Sequence, residues 1–402
     1  MMSIADSLSK RGSNMRPDIL RQIGAGILLF IFLLPPVRRF YFNAGLRWQY
    51  ILAFSFVAAF FLVPFCRIIA SKLDIMDRPD WRKIHENATP LLGGLAVFLA
   101  FGFSLAVNNV FLPGMKSLLA GSFLIFVIGL WDDVRPISAA LRFFLQIAIS
   151  ILVVTYGKIT LTLFIQFPGA DALNFVLTIL WLVGLTNAMN FFDGIDGLAA
   201  GLSVIGASFM GAIAFKTYQP SLGWLAVALV GACAGFMPYN FRIGRSATIF
   251  LGDSGSTFIG FTLAGLAILG EWSATSHFVS FTAPVLVFGV LIFDMVYVTA
   301  SRIKNRTATN PLGLLARANK DHIHHRLLYM GFKRKEAAFT IFTIAICLGV
   351  SALIIMDQNF IDAVLGLLQA VLVLGIVAIL MFKGRDIAGY ESGGSIERRM
   401  IE

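Results

Sequence analysis

Eleven stretches of this chain are apolar for roughly the length of a membrane crossing, which takes about 20 residues at 1.5 Å of helical rise each. They centre on residues 49–70, 91–111, 117–131, 139–157, 172–190, 195–215, 222–239, 254–270, 278–303, 336–355 and 359–382. The spaces between them are too short for a soluble domain, the longest polar insert running only from Arg302 to Lys335. Composition agrees: 58% of residues are hydrophobic, 13% are charged, and mean hydropathy is +0.82. The expected fold class is therefore all-α, a polytopic membrane helix bundle of about 11 transmembrane helices. Residues 46–385 form the membrane-embedded part, 386–402 a polar tail and 1–45 an N-terminal extension. A shorter apolar piece, Ile23 to Leu34, is cut off by Pro35-Pro36, and its length suits an interfacial or re-entrant helix better than a span. It lacks the small-residue cleavage site of a signal peptide.

Charge orients the bundle. The loops near 67–83, 131–142, 190–196, 240–252 and 302–335, with the tail from Lys383, hold 22 of the 32 Lys and Arg. The opposite loops carry only Lys116, Lys158 and Lys216. The positive-inside rule puts the first set in the cytoplasm. The seven basic residues before the first confident span do not orient themselves by this rule. A net charge of +10 raises the question of nucleic acid, but no basic module with interleaved aromatics is present. Anionic headgroups and a phosphorylated substrate account for it better. Cys66, Cys233 and Cys347 lie apart in apolar surroundings, which argues against a disulfide framework or a thiolate metal site.

The acids are not scattered. In NAMNFFDGIDG, Asn187, Asn190, Asp193 and Asp196 step by three, so a continuing helix would align them along one polar stripe. Helix capping needs one such residue, not four; a polar stripe at the mouth of a membrane helix suggests a polar ligand. In GLWDDVRP, Asp132 and Asp133 stand side by side at a helix end, where mutual repulsion suits a general base beside a metal or a phosphate. In IFLGDSGS, Asp253 lies in a glycine-flanked turn that opens the next helix, a place that favours anions. An aspartate beside a phosphate-binding turn is a site for Mg²⁺, which takes one or two carboxylates and completes its shell with substrate oxygens. Phe250, three residues earlier, has a ring that can stack on a base. In DHIHHRL, His322, His324, His325 and Arg326 sit in the most basic loop. No cysteine or spaced fourth ligand accompanies the histidines, so phosphate contact is a better reading than zinc. DRPDWRKIHENATPLLGG adds Lys83, His85 and a Gly93-Gly94 helix start. Asp294, inside LIFDMVYV, lies within a span, and structural, paired and supporting roles are equally open for it.

These five motifs, in this order, resemble the polyprenyl-phosphate N-acetylhexosamine-1-phosphate transferase family, from about Ile51 to the last spans. DHIHHRL is similar to the bacterial undecaprenyl-phosphate GlcNAc-1-phosphate branch; the phospho-MurNAc-pentapeptide branch, the nearer alternative, usually carries three consecutive histidines. The resemblance implies attack by undecaprenyl phosphate on a UDP-N-acetylhexosamine, UDP-GlcNAc first, at the cytoplasmic face of the bacterial inner membrane. It implies Mg²⁺ as cofactor, with Mn²⁺ an alternative, held by Asp253. Asn190 and Asp193 would line that centre, Asp132 with Asp133 would act as base or orient phosphate, and Asp196 and Phe250 would hold uracil. His324, His325 and Arg326 would contact diphosphate or sugar, with His322 and Asn187 also on the substrate side, and Lys83 would bind phosphate. Membrane lipids are expected partners and nucleic acid is not; a homodimer is compatible with the sequence. One departure stands out: where the family commonly has Pro-x-Pro-Arg before the paired glycines, this chain has Ala88 and Leu91 in place of the first proline and the arginine. The sugar is therefore less fixed than the reaction. A transporter or flippase would place its ionisable groups near the midplane and show repeats, and a dead homologue would have lost an acid. Neither pattern is present.

Overall fold

The structure, a computed structural model, describes residues 19–78, 88–111, 113–161, 169–273, 277–304 and 321–391. Lys83, His85 and the tail beyond Glu391 lie outside the described residues. Fifteen helices cover nearly all of these segments. The first nine are α1 (Ile19–Leu33), α2 (Pro35–Asn43), α3 (Arg47–Lys72), α4 (Gly93–Asn108), α5 (Pro113–Val134), α6 (Ala139–Gly157), α7 (Ala170–Phe191), α8 (Leu198–Lys216) and α9 (Pro220–Asn240). After them come α10 (Gly252–Leu269), α11 (His277–Val287), α12 (Gly289–Lys304), α13 (Ile323–Tyr329), α14 (Arg334–Ile355) and α15 (Phe360–Glu391). The one sheet among the described residues is a two-residue antiparallel pair, Met76–Asp77 against Thr89–Pro90.

Eight of these helices are long and apolar enough to cross a membrane, or ten if the bent pairs α1–α2 and α11–α12 each count as one. The expected count of eleven is not reproduced by this measure, for two physical reasons. Helix α4 has only 16 residues. Helix α10 has 18, but its first turns read Gly-Asp-Ser-Gly-Ser-Thr and dilute its hydropathy. It has no need of a lipid-facing surface: every residue from Ser254 to Ala267 is buried, and it packs on α4, α5, α7, α8 and α9. A helix that opens on a polar turn is thus buried at the centre of the bundle. Small residues let its neighbours come close. A methyl group at Gly94 of α4 would stand 2.3 Å from the backbone nitrogen of Gly255.

Helix α1 lies along α3, with Gly26 against Phe61 and the Tyr50 hydroxyl donating to the Phe32 carbonyl. At Leu34 the backbone is extended (φ −68°, ψ 127°), as steric conflict with a following proline requires, and the chain bends by 68° into α2. From α2 and α3, Arg38 and Arg47 donate to the carbonyls of Val107 and Asn108. These are C-terminal carbonyls of α4, which the helix leaves without partners and which favour cations. The two arginines therefore sit at the end of the bundle opposite Gly93 and the acidic motifs.

Candidate active site

The site is built around the first turn of α10. Gly252 has φ +77°, a conformation that glycine adopts freely, and its Cα faces the Leu91 carbonyl and the Asp133 carboxylate. The turn exposes the first N–H groups of α10, and Asp133 takes two of them: Oδ1 accepts from Asp253 N at 2.8 Å and Oδ2 from Ser254 N at 3.0 Å. Asp133 thus caps α10 from the end of α5. Its neighbour Asp132 points elsewhere, accepting from Ile137 N at 2.8 Å.

Arg142, in the first turn of α6, joins the acids. Its Nη1 lies 2.6 Å from Asp132 Oδ2 and 2.6 Å from Asp253 Oδ2. Asp253 Oδ1 accepts from Asn190 Nδ2, also at 2.6 Å, and the same amide donates to Ser256 Oγ at 2.9 Å. Four helices therefore converge on one carboxylate: α5 through Arg142's other partner, α6, α7 and α10 itself. Arg142 was not among the candidates from sequence. The available signal was its place, a cation opening an apolar helix ten residues after Asp132, with buried Gln146 one turn on.

The stripe by threes is only partly realised. Helix α7 ends at Phe191, a 3₁₀ turn covers Phe192–Gly194, and Ile195 is extended. The four residues therefore do not share one helical face. Asn187 turns to α6 and donates to Gln146 Oε1 at 2.6 Å and to the Val183 carbonyl at 2.8 Å. Asn190 faces Asp253. The half-buried Asp193 carboxylate faces the Gly252 N–H, within electrostatic reach of Asp253 and Asp133. Asp196 lies beyond the break and accepts from Ala247 N at 3.0 Å. Buried Asn240 holds this wall together, accepting from Gly197 N and donating to the Ile249 carbonyl.

Phe250 belongs to a backbone clip. Its N–H donates to the Pro90 carbonyl, its own carbonyl accepts from Gly93 N, and the Leu251 carbonyl accepts from Gly94 N at 2.7 Å. The departure at Ala88 and Leu91 falls in this clip, Ala88 exposed and the Leu91 carbonyl under the Gly252 turn. Leu91 itself is half-buried and packs against the hydrophobic core.

The histidine segment docks on the end of α7. The ring of His322 lies 4.7 Å from that of Phe191, and the ring of His324 lies 5.9 Å from that of Phe192 and against Gly194. His322 and His324 are buried, whereas His325 and Arg326 keep open surface. Neither ring nitrogen of His324 has a hydrogen-bond partner. Burial, with His325 and His322 beside it, holds its imidazole well below the usual histidine range. Of the roles its sequence left open for Asp294, pairing is the one the contacts show. His322 Nδ1 lies 2.6 Å from its Oδ2, and Ile323 N donates to its Oδ1 at 2.7 Å.

Asp253, Asp132, Asp193 and the Asn190 amide make an oxygen-rich set, the chemistry that suits a hard cation. No group of three or more His, Cys, Asp or Glu side chains among the described residues closes into a metal cage. Carboxylates so disposed suit a cation that completes its shell with ligand oxygens better than one enclosed by protein.

Comparison with known proteins places this geometry in a family. The sequence profile of glycosyl transferase family 4 matches residues 115–271, from α5 through α10. A Bacillus subtilis strain 168 protein, named probable undecaprenyl-phosphate N-acetylglucosaminyl 1-phosphate transferase, is 32% identical over 306 residues, covering 75% of this chain and 83% of its own. The undecaprenyl-phosphate alpha-N-acetylglucosaminyl 1-phosphate transferase of Escherichia coli K12 is 30% identical over 290 residues, 71% and 77% of the two chains. A decaprenyl-phosphate N-acetylglucosaminephosphotransferase of Mycolicibacterium smegmatis is 29% identical over 367 residues, 82% and 88%. With a profile match across the helices that build the site, and relatives aligned over most of its length, this chain belongs to glycosyl transferase family 4.

Proposed function

We propose that this protein transfers N-acetylhexosamine-1-phosphate, foremost GlcNAc-1-phosphate, from a UDP-sugar to undecaprenyl phosphate. The products are undecaprenyl-diphosphate-sugar and UMP, and the reaction takes place at the cytoplasmic face of the bacterial inner membrane. The observation that carries the reading is the Arg142 bridge between Asp132 and Asp253 at the first turn of α10. There a cation and several carboxylate oxygens converge at one end of the apolar helices, the arrangement that binding both a lipid phosphate and a nucleotide diphosphate needs. Relatives named for the same acceptor class and the same transferred group support it.

In the reaction an oxygen of the lipid phosphate bonds to the β-phosphorus of the UDP-sugar, the bond from that phosphorus to the bridging oxygen breaks, and UMP departs. Arg142 binds and orients the lipid phosphate and offsets its charge against the two carboxylates. Asp132, sharing that guanidinium, accepts any proton the lipid phosphate brings. Asn190 holds the Asp253 carboxylate in register, and Asp193 shapes the same wall. Asp253, with Asp193, would hold Mg²⁺; when bound, such an ion neutralises charge on the diphosphate. Asp196 and Phe250 line the uridine side, and His325 with Arg326 face the diphosphate-sugar. Lys83 is assigned to phosphate on the resemblance alone.

The displacement is direct, because the lipid phosphate is already anionic at neutral pH. Transfer of label from UDP-[¹⁴C]GlcNAc to lipid in isolated membranes, with unlabelled UDP-GlcNAc, UDP-GalNAc and UDP-deoxy-N-acetylhexosamines as competitors, identifies the donor. The expected result is labelled lipid suppressed most by UDP-GlcNAc. Exchange of label between UMP and UDP-GlcNAc without lipid phosphate would instead indicate a covalent phospho-sugar intermediate on a carboxylate.

A further inference from the structure

We infer that Asp294 and His322 are a positioning pair, which seats the histidine segment on the end of α7, and that His322 is not itself a substrate contact. The inference rests on the transferase reading only for its kinetic consequences; the docking stands on geometry. Asp294 lies ten residues before the end of α12 and is 1% exposed. An acid placed so deep in a membrane helix is costly unless it is partnered. Here both carboxylate oxygens are used, one by His322 Nδ1 at 2.6 Å and one by Ile323 N at 2.7 Å. The second contact caps α13 at its first residue. His322 is the N-cap of α13, yet it supplies no capping bond of its own, so the aspartate of another helix does that work.

His322 is 4% exposed, with the Phe191 ring at 4.7 Å and the His324 ring stacked at 6.0 Å. A second tie runs in parallel: Arg302 of α12 donates through Nε and Nη2 to both oxygens of Asp321, each at 2.9 Å. Two acid–base pairs thus hold residues 321–323 to α12. The next residue, His324, then lands against Gly194, beside Asp193. Only after that do His325 and Arg326 emerge with open surface. The order of burial along the segment separates two anchors from two contacts: the first two histidines seat the turn, and the third, with the arginine, meets the substrate.

Substitutions at His322 separate an anchor from a contact. Asparagine keeps an N–H donor near the position of Nδ1, and glutamine places its amide near Nε2. His322→Asn is expected to keep at least about one tenth of the wild-type kcat/KM for UDP-GlcNAc. His322→Gln and His322→Ala are each expected to lose about 100-fold or more, through KM for the UDP-sugar as well as kcat, with KM for the lipid phosphate little changed. Asp294→Ala should match His322→Ala, and the double variant should lose no more than either single one, because both remove one unit. If His322→Asn is as inactive as His322→Ala while His322→Gln is active, the imidazole itself meets the substrate and the inference fails. Losses that multiply in the double variant overturn it equally.

Docking is also read without substrate. A cysteine at buried Leu327, in a Cys347→Ser background, should react with maleimide at least about tenfold faster in His322→Ala than in His322→Asn. Equal rates would contradict the anchor whether or not the wild type turns over UDP-GlcNAc. A wild type that is inert toward every UDP-sugar, but shows this difference in labelling, would instead remove the transferase reading and leave the anchor standing.

Discussion

Two carboxylates share one guanidinium: Arg142 Nη1 lies 2.6 Å from both Asp132 and Asp253. Without it, two partly buried acids face each other with no cation between them. Arg142→Ala is expected to lower kcat about 100-fold or more, the scale for loss of one preorganised charge contact. Arg142→Lys should recover only part of that, because a point charge cannot reproduce a planar fork; equal activity of all three in a UMP-release assay would contradict the bridge. Asp133 has a different duty. Asp133→Ala leaves the Asp253 and Ser254 N–H groups without acceptors and should cost about 1–2 kcal/mol, read as a lower Tm in detergent. At this scale the acids could be read from the chain, because carboxylates and amides are rare in apolar sequence and their spacing is conspicuous. Their partners could not. Asp132 and Asp133 look equivalent in sequence, and only the fold shows that one caps a helix while the other pairs with an arginine. The Asp294–His322 pair spans 28 positions, and no local pattern announces it.

Among the helices, α10 was legible as a span but not as the axis. A hydropathy window sees its polar first turns as weakness, whereas buried on every side they are what lets α4 and α5 approach. Gly94 tests this. A methyl group there meets the backbone of Gly255 at 2.3 to 2.5 Å, with no side chain able to move aside except the Ser254 hydroxyl. Gly94→Ala is therefore expected to destabilise by about 2–3 kcal/mol, within the range for overpacking, and a Tm within error of wild type would rule that packing out. Helix α13 carries a pH dependence. In the unfolded chain His324 titrates near its ordinary pKa of about 6.5, but burial holds it well below that range in the fold. The stabilisation is therefore complete above about pH 6.5 and falls as pH drops toward the lowered value, because the undocked histidine takes up a proton that the buried one refuses. Between pH 7 and 5 the Tm of the wild type should fall more than that of His324→Asn; parallel curves would contradict it. The stripe of Asn187 to Asp196 shows the limit of periodicity at this scale. Spacing by threes predicted a shared helical face, but the chain leaves the helix at Phe191, and the later acids are aimed by the turn instead.

Across the whole molecule the chemistry lies at one end, and Arg38 and Arg47 at the other. Arg38 and Arg47 hold the far end of α4, and α1 braces α3 along its length. A chain lacking residues 1–45 is expected to unfold at a lower temperature while keeping KM for both substrates within about threefold, because the contacts it would lose, such as Gln22 on the Tyr239 hydroxyl, Gly26 on Phe61 and Arg38 on the Val107 carbonyl, do not touch Asp253. A loss of substrate affinity in a folded truncation would show that the extension shapes the site. The charge asymmetry of the loops and the membrane-length runs made the bundle readable from sequence. What they could not supply is the convergence of α5, α6, α7 and α10 on a single carboxylate, which depends on which helices neighbour which. That convergence is tested most directly by UMP release from UDP-GlcNAc by the purified protein with undecaprenyl phosphate and Mg²⁺, beside Asp253→Asn. Turnover that requires the lipid, the metal and Asp253 is the predicted result; turnover undiminished in a folded Asp253→Asn variant would contradict it.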